Sequence, residues 1–179
     1  MIMVAQVDSN WGIAKGDKQL FHIPKDLAFF RALTLHNIVI MGGRTYREIG
    51  VLPDRLNIVL SRSLDQSESN PERGLIIANS EYACRAGNLF SVNPWEDCST
   101  FVIGGGEIYK IFEPWCSQAI LTRVVIDGNA DTYMPNLELG DWELAECYPL
   151  GSVSLGSRLS VDMYRELWIR PTEWIAVDG

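Results

Sequence analysis

Basic charge is scarce in this chain. Fifteen Lys and Arg stand against twenty-three Asp and Glu, a formal net charge of −8 and an isoelectric point of about 4.7. That balance argues against a nucleic-acid or anionic-membrane partner, which asks for a basic face. An anionic ligand must instead find a local pocket of arginines and backbone N–H groups. Histidine is scarcer still, with only His22 and His36. The four cysteines (Cys84, Cys98, Cys116, Cys147) form no CxxC pair and lie far from both histidines, which argues against a zinc site. Reduced thiols in a cytoplasmic protein are therefore expected. No apolar run reaches the length that spans a bilayer. The start, "MIMVAQVDSNWG", lacks the basic n-region and apolar core of a signal peptide. There is no repeat, no low-complexity segment and no GxGxxG fingerprint.

What is present is apolar. Such residues make up 47% of 179, enough for one domain, 1–179, with a sizeable core. Strands are expected at 2–8, 37–42, 56–61, "LIIAN", "TFVIG" and "QAILTRVVI". "SNWGIAKGDKQL" reads as a long mobile loop and "LDQSESNPERG" as a polar one. Helices are expected from Pro24 to Leu35, in "GRTYREI" up to Gly50, in "SEYACRAG" behind a possible Ser80 cap, and in "GEIYKIF". Alternation from Asp141 to Ile169 suggests antiparallel strands; the tail 170–179 has no readable role. Strands alternating with helices, then strands alone, predict an α/β sheet that is mostly parallel with an antiparallel C-terminal edge.

One charge is out of place. Pro24 suits the first position of a helix, where a missing N–H costs nothing. At ~100° per residue, Asp26 then falls at the centre of an arc made by Phe30, Leu33, Phe29, Ile23, Thr34 and Leu27. A carboxylate on a buried face is costly unless paired, hydrogen-bonded or protonated. Two readings stay open. Asp26 is a first-turn acid that meets the helix dipole, or it is a functional acid facing a pocket.

Two segments repeat the order buried strand, glycines, helix start: "VIMGGRTY" (39–46) and "FVIGGGEIY" (101–109). Helix starts bind anions, and glycine lets a phosphate approach closely. A pair of such turns on neighbouring parallel strands could hold a diphosphate. "LSRS" (60–63) adds Ser61 and Arg62 beside Arg44, suited to a further phosphate such as the 2′-phosphate of NADPH.

Taken in order, "NWGIA", "LFHIPKDLAFF", "VIMGGRTYREIG", "LPDRLNIVLS", "FVIGGGEIY" and "DTYMP" resemble the dihydrofolate reductase family, nearly to the end of the chain. The resemblance implies an eight-stranded mixed sheet with about four flanking helices. It implies reduction of dihydrofolate by NADPH in one-carbon metabolism, and binding of antifolate inhibitors. It makes Asp26 the carboxylate that holds the pterin and supports protonation of N5, backed by the Thr122 hydroxyl. Phe21 takes the catalytic-site position where relatives often carry a tryptophan. Leu27, Phe30 and Ile49 match the ring-packing residues, and Val4 and Ile103 the carbonyls that meet the pterin amino group. Ala5, Arg31 and Leu52 complete the substrate site, and Arg55 matches the arginine that grips the glutamate tail. Thr45 and Gly104, Gly105 and Gly106 match the diphosphate cradle, with a cis Gly104–Gly105 bond. The remaining cofactor positions are Gln6, Ile13, Gly42, Gly43, Arg44, Leu60, Ser61, Arg62, Glu107, Ile108, Tyr109 and Thr132. Residues 11–22 match the loop that closes over nicotinamide.

Several positions depart from the family pattern. Phe21 cannot donate a hydrogen bond. Ala14 and Gln19 replace a glycine and an apolar residue of the closing loop. Gly43 and Glu107 stand where basic residues are common. A pyrimidine reductase of riboflavin synthesis and a non-catalytic pteridine- or nucleotide-binding protein remain as alternatives, with Asp26 and Arg55 favouring folate. No exposed apolar stripe is legible, so a monomer is expected.

Overall fold

The computed structural model describes residues 1–80, 98–156 and 159–171. Its frame is an eight-stranded sheet. In chain order the large-sheet strands are β1 (Ile2–Val7), β4 (Ile38–Gly42), β5 (Leu56–Leu60), β6 (Leu75–Ala78), β7 (Thr100–Gly104), β8 (Gln118–Val124), β10 (Glu143–Leu155) and β11 (Leu159–Ile169). Their spatial order is β10-β11-β8-β1-β7-β4-β5-β6. The six from β8 to β6 run parallel, and β11 and β10 join antiparallel at one edge. The expected mixed sheet is thus observed.

Alternation on the central strands builds two cores. Ile38 and Ile40 of β4 face one layer, with Phe112 and Ile108 of helix α3 (Gly106–Phe112). Val39 and Met41 face the other, against Phe30 and Leu33 of helix α1 (Pro24–Thr34) and Tyr46 of helix α2 (Gly43–Ile49). All of β4 is buried, which explains its continuous apolar sequence. Helix α1 opens at Pro24 and stops one residue before the expected end. Thr34 turns its hydroxyl back to the Phe30 carbonyl at 2.8 Å, and Asn37 Nδ2 donates to the Leu35 carbonyl at 2.9 Å. The helix expected in "SEYACRAG" and the tail beyond Pro171 lie outside the described residues.

The closing loop departs from expectation. It is a hairpin of β2 (Gly12–Lys15) and β3 (Lys18–Gln19), extended by β9 (Thr132–Tyr133) into a second, three-stranded sheet. Gly16, at φ +61°, and Asp17 make its two-residue turn, a conformation that favours glycine. Asp8 anchors its base. The fully buried Asp8 carboxylate accepts from the N–H groups of Asn10 (2.8 Å), Gly12 (2.7 Å) and Gly128 (2.9 Å). A Cβ on Gly12 would come within 2.7 Å of that carboxylate and 2.4 Å of Ala130, so the approach requires glycine here. The segment read as a polar loop also folds further, into short 3-10 turns at Gln66–Glu68 and Pro71–Arg73, capped by Asp65 and Asn70.

Candidate active site

Three strands aim one row of side chains at Asp26. In register, Gln6 of β1 lies beside Thr122 of β8, and Thr122 beside Arg165 of β11. All three donate to the Asp26 carboxylate. Thr122 Oγ1 and Arg165 Nη2 (3.3 Å) reach Oδ1, and Gln6 Nε2 (2.9 Å) reaches Oδ2. The Asp26 side chain is 11% exposed. Among the described residues no helix N–H donates to it, so Asp26 is not a helix cap. Of the apolar arc predicted around it, Leu27, Phe29 and Phe30 form a cavity wall, while Ile23 and Leu33 pack into the core and Thr34 is buried against Arg55.

That cavity, about 210 Å³, is lined by Val4, Ala5, Leu27, Phe29, Phe30, Ile49, Ile103 and Tyr109 around the Gln6–Thr122–Arg165 row. Ile13, Ala14 and Gln19 of the hairpin cover one side. Gln19 Nε2 donates to Gln6 Oε1 at 3.3 Å, joining the hairpin to the carboxylate through one amide. Tyr109 donates to the Val4 carbonyl at 2.6 Å. Burial pushes its phenol well above the ordinary tyrosine range, so it stays a neutral donor.

A larger cleft of about 1150 Å³ adjoins this cavity across Thr45, Glu48 and Gly105. The starts of α2 and α3 open onto it at Gly42–Gly43 and Gly105–Gly106, and the Gly104–Gly105 peptide is cis. A Cβ on Gly43 would fall 2.8 Å from Ser61 Oγ, and one on Gly106 2.7 Å from the Tyr133 carbonyl. Arg44, Arg47, Arg62, Ser61 and Ser63 are among the cleft's lining residues, and Arg44 pairs with Asp17 of the hairpin turn at 3.7 Å. Arg47 Nη2 donates to Ser63 Oγ at 2.9 Å. Helix starts, hydroxyls and guanidinium groups are the donor set of a dinucleotide site.

The family model described as dihydrofolate reductase matches residues 1–150. The chain belongs to the dihydrofolate reductase family. It is 37% identical over 134 residues to the dihydrofolate reductase of Haemophilus influenzae, covering 74% of this chain and 76% of that one. To the dihydrofolate reductase type 9 of Escherichia coli it is 27% identical over 170 residues, covering 94% and 92%. Its fold is similar to that of an Enterococcus faecalis dihydrofolate reductase complexed with NADP(H) and RAB-propyl. There the TM-score is 0.73 and the identity 27%, over 95% of each chain.

Set against dihydrofolate reductase expectations, most anticipated residues gather here. Val4, Ala5, Asp26, Leu27, Phe30, Ile49, Ile103 and Thr122 line the smaller cavity. Ile13, Gly42, Gly43, Arg44, Thr45, Leu60, Ser61, Arg62, Gly105, Gly106, Glu107, Ile108 and Thr132 line the cleft. Others fall elsewhere. Gln6, Gly104 and Tyr109, expected at the cofactor, line the Asp26 cavity. Alternation on β1 puts Gln6 on the same face as Val4, toward α1. Phe21 does not line the cavity; it is 8% exposed and packs with Ile23, Val124, Val161 and Met163. Arg31, Leu52 and Arg55 also lie outside the lining. Arg55 is buried, donating to Thr34 Oγ1 (2.8 Å) and to the carbonyls of Pro53 (2.6 Å) and Arg31 (2.9 Å). Burial lowers its pKa, with Arg31 adding to the shift. The Arg55 loop is pinned by Asn57, which exchanges hydrogen bonds of 2.9 Å with the Leu52 backbone. Arg165 and Gln19 are not among the expected site residues, and their signal lies in strand pairing rather than in local sequence; Phe29, already in the periodic arc around Asp26, joins the lining as well.

Proposed function

We propose that this protein reduces 7,8-dihydrofolate to tetrahydrofolate with NADPH. The observation that carries the reading is Asp26: a carboxylate held by a cross-strand row at the back of an apolar cavity that opens into a dinucleotide cleft. NADPH, when bound, supplies the hydride. Its diphosphate suits Thr45 and the α2 and α3 starts, and its 2′-phosphate suits Ser61, Arg62 and Arg44, with Gly43 letting Ser61 approach the start of α2.

Asp26 has the geometry to accept from the donor edge of a pterin while Leu27, Phe30 and Ile49 hold the ring. The apolar wall and the hairpin exclude water, so the positioned ring and the developing charge at N5 meet fixed dipoles rather than solvent. The Asp26–Thr122–Gln6 network is suited to supporting proton delivery to N5. Arg55 sits beside Thr34, eight residues or ~12 Å further along α1. Three of its five N–H groups are used internally, leaving two for a carboxylate of the glutamate tail. Antifolates with a pterin-like donor edge suit the same cavity. The free thiols of Cys98, Cys116 and Cys147 fit a reducing compartment.

The test is consumption of reduced nicotinamide, followed with and without dihydrofolate and repeated with NADH. A dihydrofolate-dependent rate, larger with NADPH, is expected. A folded protein with no such rate overturns the reading.

A further inference from the structure

Asp26 is more crowded than ring binding requires. Both lone pairs of Oδ1 are engaged, by Thr122 and by Arg165 Nη2, while Oδ2 retains one beside Gln6. Arg165 is the one basic residue among the described residues that line this cavity. Its guanidinium carbon lies 3.3 Å from the centroid of the Phe29 ring, and its side chain is only 14% exposed. Phe29 sits one helical turn beyond Asp26 on α1, so a single helix face presents both the charge and the platform. Arg165 Nε is buried without a hydrogen-bond partner. A guanidinium stays protonated even where burial lowers its pKa, so a permanent cation is confined beside the acid.

We propose that Arg165 is a specificity-determining residue whose fixed charge makes this cavity favour neutral heterocycles over those of the same shape that carry a proton on the edge facing Asp26. The inference rests on the folate reading of the cavity. A neutral ring with an N–H and an amino group asks Asp26 only for acceptor lone pairs. A ring that binds as a cation asks for the full negative charge, which Arg165 has already partly neutralised. Two cations must then share one carboxylate and repel across it. Displacing the 3.3 Å Arg165 contact does not remove the repulsion, because β11 and Phe29 keep the guanidinium close. Charges ~7 Å apart at an effective dielectric of ~20 correspond to roughly ten- to a hundredfold in binding.

The experiment compares wild type with Arg165→Met and Arg165→Lys, each loaded with NADP⁺, by calorimetric titration. The probes are folate, whose ring is neutral, and 2,4-diamino-5-benzylpyrimidine below neutral pH, where its ring is protonated. In Arg165→Met the cation gains roughly ten- to a hundredfold over folate. Arg165→Lys keeps most of the wild-type ratio, because it keeps the charge. An equal change for both probes in Arg165→Met, or the same gain in Arg165→Lys, overturns the charge-selection role. Wild type that binds neither probe overturns the folate reading itself. If Arg165→Met does not fold, Arg165→Gln supplies the same comparison, with NADP⁺ affinity as its check on folding.

Discussion

Replacing Asp26 with Asn changes almost no volume and reverses the hydrogen-bonding character of one atom. The carboxylate accepts from Gln6, Thr122 and Arg165. Asparagine offers one carbonyl oxygen, and its NH₂ would face a donor that no longer has an acceptor. In the free protein, Arg165 loses its one carboxylate partner in a site where it is 14% exposed. In the complex, a donor edge takes the free lone pair of Oδ2 and the one on Oδ1 that the 3.3 Å Arg165 contact gives up, and against asparagine those two charge-assisted hydrogen bonds are lost. At about 1.5–3 kcal/mol each, that loss is about 3–6 kcal/mol. It corresponds to roughly a hundred- to ten-thousandfold in kcat/KM. The assay is steady-state consumption of NADPH across a pH series, with NADPH affinity measured in parallel. NADPH affinity stays within about twofold, because Asp26 does not line the cofactor cleft. The deficit deepens with rising pH, because a variant without this acid depends on solvent protons for N5. A loss under tenfold, or a deficit that does not change with pH, would remove Asp26 from the chemistry.

Three other substitutions and labels report on separate parts of the structure. Arg55→Leu raises KM for dihydrofolate at least tenfold while leaving it nearly unchanged for a pterin without a glutamate tail; equal effects on both would refute a tail-binding role. Tyr109→Phe removes the 2.6 Å bond to the Val4 carbonyl and costs about 1–3 kcal/mol in denaturant unfolding. Because burial raises the Tyr109 pKa in the folded state, its contribution is complete below pH ~10 and declines above, so the gap to wild type narrows in alkali. Burial pushes the Cys116 thiol up to about 12, whereas Cys147 is exposed. Iodoacetamide at mildly alkaline pH labels Cys147 in the native protein and Cys116 only after unfolding, as peptide mapping by mass spectrometry reads out.

The parts of this molecule that are legible in sequence are those dictated by local pattern. β4 and β5 are buried along nearly their whole length, and their unbroken apolar runs say so. Asp26 is conspicuous because helix periodicity alone sets it among Phe29, Phe30 and Leu33. The glycine turns are visible because each closes a strand and opens a helix. What escaped depends on contacts between distant segments. Arg165 reads as an ordinary alternating residue until β11 pairs with β8 and puts it beside Thr122. Gln6 is expected at the cofactor from the family pattern, and β1 turns its side chain to the α1 face, a choice fixed by which layer Met3 and Val4 join. The β2–β3 hairpin was hidden because its Gly16–Asp17 turn is embedded in a polar stretch without strong strand formers. Asp8 looked like a strand end, and only the return of Gly128 reveals it as an anchor.

The Gln6–Thr122–Arg165 row also sets an order of assembly. Asp26 leaves the ribosome early, but two of its three donors come about a hundred residues or more later in the chain. β1, the first strand made, hydrogen-bonds to β7 and β8, so it has no partner in the large sheet until the chain reaches Thr100. Such non-local pairing slows folding and prolongs the time for which an apolar strand is unprotected. A nascent chain stalled between β8 and β11 holds the acid, Gln6 and Thr122, but not Arg165. Until β11 pairs with β8, Asp26 lacks the arginine that faces it in the folded protein.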